Sequence, residues 1–158
     1  MVYKVDGNSI GSGGSCNNGN NPIVPTPIML QKMKGDGITP VGQPIQILTN
    51  NPQDGPLVEA PSLSRTSNGK YMLLFSSGCF TDPTYNTKYA LADSVTGPYA
   101  RGADPLWKTG SDGLVAPGGA DATHDGKRVA FHSTNPDGTR SMWTATLTMT
   151  GNDVHAYN

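Results

Sequence analysis

A spaced internal repeat constrains this chain more than any other feature. Ala60-Pro61 recurs as Ala116-Pro117, 56 positions later, and Asn68-Gly69-Lys70 recurs as Asp125-Gly126-Lys127, 57 positions later. Ser76 recurs as Ser133 at the same spacing of 57. A period of this size means copies of one supersecondary unit that bury their apolar faces against each other. Each copy reads as strand, turn, strand, loop, strand, turn, strand. The period is a little above the roughly 40–50 residues of familiar propeller blades, and the long loop at 78–86 accounts for the excess.

The composition fits that reading. Charged residues are only 15% of the chain, and the 20 glycines and 13 prolines make up about a fifth of it. Such a mixture belongs to a turn-rich β protein rather than a helical one, and the apolar strand-like runs argue against disorder. Strand candidates are Val2 to Val5, 27–34, Ile45 to Leu48, 59–65, 70–77 after the Ser67-Asn68-Gly69 turn, and Lys88 to Leu91. In 141–150, Trp143, Ala145, Leu147 and Met149 alternate with Met142, Thr144, Thr146 and Thr148, the period of a strand with one greasier face. Tyr71 to Phe75 is apolar on both faces and must be covered on both, as the middle of a propeller blade is.

Tyr3-Lys4-Val5 resembles the second strand of a unit with no first strand before it. The expected fold is therefore all-β: an incomplete propeller of about three four-stranded blades. These are an incomplete blade at 1–54, a blade at 55–110 and a last blade at 111–158. Three blades do not close a ring, and their open edges invite self-association.

The net charge of −1 favours neither nucleic acid nor an anionic membrane as partner. No run approaches the roughly 18 apolar residues of a membrane span. MVYKVDGNSIG has no basic region followed by an apolar stretch, so this chain carries no signal peptide of its own. Cys16 and Cys79 lack metal-ligand spacing; they either pair in an oxidising compartment or stay free.

Glu59 carries the chemistry. It stands at the start of a unit's first strand, the innermost strand of a blade, which lines the central channel. A carboxylic acid in a partly dry cavity is pushed toward its protonated form and can act as a general acid. Glycosidases need such an acid for the leaving oxygen, and a second carboxylate. Of the other candidates, His132 could hydrogen-bond a sugar and Arg140 could reach sugar hydroxyls from the start of the last long strand. Ser77, Cys79 and Asp82 occupy a loop that would border a cleft, and Asn8 and Ser9 would do so from the partial blade. Each has a structural reading beside the functional one: a surface Glu, a strand His satisfied by its neighbours, a solvated Arg. His124 reads as an exposed turn, and Trp107 and Trp143 as blade packing rather than sugar platforms.

From Val2 through Tyr157 the chain resembles glycoside hydrolase family 43, especially its fungal members. The segments that carry the resemblance are YKVDGNSIG, PIVPTPIMLQ, GPLVEAPSL, LLFSSGCFTDPTYNTKYA, GPYARGADPLWKTG and APGGADATHDGKRVAFHS. The resemblance implies a five-bladed propeller acting on arabinose- and xylose-containing plant polysaccharides with inversion, outside the cell. It implies an Asp base, an Asp that tunes the acid, and a Glu acid, which Glu59 matches. The base and the tuning Asp find no match here; Asp6, followed by Gly7, reads as a turn residue. A central calcium ion occurs in the family beside a channel histidine. The comparable stretch here, Ala116-Pro117-Gly118-Gly119, has none, so no metal and no cofactor are expected. The expectation is thus a glycoside hydrolase fragment that lacks its base, inactive alone. The alternative is a non-catalytic carbohydrate-binding or structural propeller fragment.

Overall fold

The computed structural model describes residues 1–157. Among them no α-helix occurs, and the regular structure is strand with four short 3-10 turns. The first sheet holds β1 (Val2–Lys4), β2 (Ile28–Leu30) and β3 (Ile45–Leu48) in that order. The second runs β4 (Val58–Arg65), β5 (Tyr71–Ser77), β6 (Asn86–Ala92), β7 (Ala100–Arg101). The third runs β8 (Gly118–Ala122), β9 (Arg128–Thr134), β10 (Arg140–Thr150), β11 (Asp153–Tyr157). Every neighbouring pair is antiparallel. These are blades stacked face to face: an incomplete β-propeller.

β5 shows why the order is fixed. Its Leu73 and Phe75 enter one apolar cluster with Ile28, Leu48 and Val58 of the flanking elements. Its Met72 and Leu74 enter the other, with Trp107, Val129, Phe131 and Leu147. Side chains alternate across a strand, so a strand apolar at every position holds two blades at once. β1 lies against β4 as β5 lies against β8. β1 therefore stands where a blade's second strand stands, and it is an edge strand.

The repeat is visible in the backbone. Ala60 and Ala116 both adopt positive φ, 48° and 47°, a conformation that costs an L-residue about 1–2 kcal/mol. The pairing register of β4 slips across Ala60, between Glu59 and Ser62, and that of β8 slips a little beyond Ala116, between Gly118 and Asp121. The two turns also match: Thr66 Oγ1 donates to Asn68 Oδ1 and Thr123 Oγ1 to Asp125 Oδ1, each at 2.6 Å.

Two details differ from the sequence reading. The strand expected over 27–34 stops at Leu30, because the Gln31 amide bonds the Lys32 and Val41 carbonyls and a Met33–Pro40 bridge closes a separate excursion. Trp107 packs in the core, stacked on Phe131 at 4.2 Å, but Trp143, expected on the packed face of β10, stays 39% exposed. Its strand lies at the end of the blade stack; of that face Ala145 and Leu147 enter the cluster and Met149 packs against it.

Asp54, just before Gly55, is fully buried. Its carboxylate accepts from Lys88 Nζ at 2.9 Å, from both Arg101 terminal nitrogens and from the Asn51 amide. One carboxylate thus ties the approach to β4 to strands β6 and β7.

Candidate functional site

The site is built on the first residues of β4. Glu59 pairs with Ser76 of β5, and its side chain is 20% exposed. Two donors hold it. The Tyr85 hydroxyl donates to Oε1 at 2.7 Å, and Lys4 Nζ from the partial blade donates to Oε2 at 3.2 Å. Lys4 also pairs with Asp6 at 2.7 Å. Burial pulls the Lys4 ammonium down, but the hydrogen bond to Asp6 and the charge of Glu59 outweigh it, so its pKa lies above the ordinary lysine value. Lys4 is a firmly held cation between two carboxylates.

Tyr85 reaches Glu59 because of a glycine in the next blade. An added Cβ on Gly118 would lie 2.0 Å from Tyr85 Cε1; the tyrosine ring fills the place a side chain would take. On the far side Tyr85 stacks on His132, with centroids 6.0 Å apart and planes within 10°. Burial raises the Tyr85 phenol, a hydrogen bond with Ser76 opposes it, and the charge of Glu59 raises it further. The phenol is therefore a neutral donor throughout the working pH range.

His132, in β9, is lowered from the ordinary histidine value, first by burial and then by the positive charge of Arg140, with Glu59 acting the other way. Its Nδ1 is enclosed without a hydrogen-bond partner. Arg140, at the start of β10, donates to the Phe80 carbonyl at 3.3 Å and lays its guanidinium 5.6 Å from the Phe80 ring centre. Glu59, Tyr85 and His132 thus form one series of contacts across the two complete blades, and Phe80 and Arg140 form a second contact across the same boundary.

The other predicted positions fall elsewhere. Ser77 is completely buried and its hydroxyl donates to Asn86, so it offers no surface to a ligand. Asn8 lies in the turn after Asp6; its carbonyl accepts from Asn17 Nδ2, and its Oδ1 is buried without a partner. His124 is exposed, its carbonyl accepting from Arg65 N across the blade boundary. Of the two states left open for the cysteines, the structure has the bond: Cys16 and Cys79 are linked, with Cα atoms 5.5 Å apart. Among the described residues no group of three or more His, Cys, Asp or Glu side chains converges to hold a metal ion.

Sequence reasoning missed Tyr85 and Lys4. The signal for Tyr85 was Gly118-Gly119 at an inner-strand start, where side chains normally line the channel. Lys4 gave none, because its partner is 55 residues away.

No family model matches the sequence, and no curated protein does. Solved structures do match. A thermostable family-43 glycoside hydrolase aligns at TM-score 0.74 and 23% identity, over 88% of this chain and 49% of its own. An endo-1,4-β-xylanase from Bacteroides thetaiotaomicron aligns at 0.71 and 22%, over 84% and 50%. An arabinanase from Bacillus subtilis aligns at 0.65 and 26%, over 81% and 47%. The chain is an incomplete propeller with the fold of the glycosidases that act on arabinan and xylan. More narrowly, its fold is that of family 43, and it spans about half the length of the structures it matches.

Proposed function

We propose that this chain is part of an inverting glycoside hydrolase acting on arabinose- and xylose-containing plant polysaccharides, with Glu59 as general acid. The observation that carries the reading is the position of Glu59. It is a half-shielded carboxyl at the head of an inner strand, fixed by a neutral phenol at one oxygen, in a fold shared with family-43 enzymes. Tyr85 on Oε1 turns Oε2 toward the leaving oxygen. Lys4, nearer to Asp6 than to Glu59, withdraws to Asp6 when the glycosidic oxygen takes its place. Glu59, which takes up a proton from solvent at Oε2 once Lys4 has left it, gives that proton to the leaving oxygen as the bond breaks, while a water on the opposite sugar face attacks. The base for that water stands about 6.5–9.5 Å from the acid in inverting enzymes and is supplied by sequence outside this chain. His132 and Arg140 bind sugar hydroxyls. The proposal includes an extracellular setting, supported by the Cys16–Cys79 bridge, since such bonds persist in oxidising compartments.

The test is Glu59→Gln in a polypeptide that carries the remaining blades. Turnover of substrates with poor leaving groups should fall by roughly 10²–10⁴, and substrates with good leaving groups should suffer far less, because they need little protonation. Equal losses on both would refute the acid role. A second reading, sugar binding without turnover, is favoured by Lys4 engaging both nearby carboxylates at once; binding with no turnover in the completed ring would establish it.

A further inference from the structure

We propose that Phe80 is a sugar-stacking platform beside the Glu59 cluster, an inference that rests on the glycosidase reading. A single exposed aromatic is ordinary on a protein surface. What sets this one apart is how it is held. The ring is 49% exposed, while the residue before it, Cys79, is buried and bonded to Cys16.

The loop around it is pinned at every step. Asp82 N donates to the Cys79 carbonyl and Tyr85 N to the Asp82 carbonyl. Ser15 Oγ donates to Asp82, and Thr109 Oγ1 to the Pro83 carbonyl. Arg140 fixes the Phe80 carbonyl and backs the ring with its guanidinium. An apolar surface held rigid toward solvent loses little entropy on binding. A flat ring next to donors is the surface that a sugar presents its C–H face to, with its hydroxyls on the neighbouring polar groups. The cation behind the ring also orients it.

The location agrees with that role. Phe80 stands in the same loop, 78–85, as Tyr85, whose hydroxyl donates to Glu59. The ligand class is an arabinose- or xylose-based oligosaccharide, with Phe80 contacting a sugar unit and Arg140 its hydroxyls.

The chain has three phenylalanines, and two of them, Phe75 and Phe131, are buried in the core clusters. Incorporation of 4-fluorophenylalanine therefore places one fluorine in solvent and two as internal controls. Titration with arabinotriose or xylotriose should move the Phe80 line and leave the other two in place. In native gels containing soluble arabinan or arabinoxylan the chain should be retarded, and Phe80→Ala should weaken that retardation roughly tenfold in apparent affinity. Phe80→Tyr should preserve it. Retardation without movement of the Phe80 line, and unchanged in Phe80→Ala, overturns the platform and leaves the glycosidase reading standing. No retardation and no shift also overturn the platform, while the glycosidase reading stands or falls on Glu59→Gln in the polypeptide with the remaining blades.

Discussion

Gly118→Ala should break the contact that fixes Glu59, without touching Glu59. Gly118 lies outside the left-handed region, in contrast to Gly119 with φ 61°, so alanine brings no backbone strain there. The added Cβ would lie 2.0, 2.7 and 2.9 Å from three atoms of the Tyr85 ring. Carbon contacts settle near 3.5–4.0 Å, so the ring must retreat by about 1.5 Å. A hydrogen bond of 2.7 Å to Glu59 does not survive that, since such bonds fade beyond roughly 3.2 Å.

Overpacking contributes roughly 1–3 kcal/mol. The lost bond to a charged group adds about 1.5 kcal/mol, the low end because water can reach the partly exposed Glu59. A total near 3 kcal/mol lowers the urea midpoint by about 1.5 M for a slope near 2 kcal/mol/M, read from the fluorescence of buried Trp107. Tyr85→Leu supplies the control, because it removes both the obstructing ring and the hydroxyl. In that background Gly118→Ala should cost under about 1 kcal/mol, a coupling near 2 kcal/mol. Equal costs in the two backgrounds would refute the packing argument.

Two further predictions separate burial from proximity and set the sign of a titration. Asp54→Asn strands Lys88 and Arg101 and should cost about 3 kcal/mol, whereas Lys70→Met, which removes a 2.7 Å pair with an Asp93 that is 89% exposed, should cost under about 1 kcal/mol; similar urea midpoints for the two variants would contradict this. His132 should titrate below ordinary histidine in NMR, move further down in Glu59→Gln and move up in Arg140→Gln. The unfolded chain takes up this proton first, so the contribution of His132 to stability is full above about pH 6.5 and is lost as pH falls through its lower folded midpoint. An upward shift in Glu59→Gln would show that His132 does not sense that carboxylate.

The fold was legible in the chain because repeats advertise themselves locally. Ala-Pro, the Asn-Gly and Asp-Gly turns and the two-sided apolar run of β5 each act within a few residues, and together they specify stacked blades. The site was legible only where one residue is informative alone, as Glu59 is at the head of an inner strand. Tyr85 was not, because its role depends on the absence of a side chain at Gly118, 33 positions away in another blade. Asp54 was hidden for a related reason. Before a glycine an aspartate reads as a turn former, and only the arrival of Lys88 and Arg101 from β6 and β7 makes it a buried ion pair. Ser77 shows the converse: a hydroxyl one position from the Ser76 that pairs with Glu59 is on the other face of β5, buried and bonded to Asn86.

The candidate site lies where the two complete blades depart from each other. Val115 precedes Ala116-Pro117 as Glu59 precedes Ala60-Pro61, and both alanines hold the same strained backbone. Val115 exchanges hydrogen bonds with Ser133, the counterpart of the Ser76 that faces Glu59. The backbone is thus duplicated while the carboxylate is not. The loops differ in the same way. In the last blade β9 and β10 are joined by a five-residue turn, 135–139, closed by Thr139 and Asn135. In the preceding blade the eight residues 78–85 take its place, and they carry Cys79, Phe80 and Tyr85. The extra residues in the period are therefore not slack. They hold the disulfide that fixes the loop, the ring offered to solvent and the phenol on Glu59. Stability comes from what the blades share, and the chemistry proposed here comes from the one loop and the one carboxylate they do not.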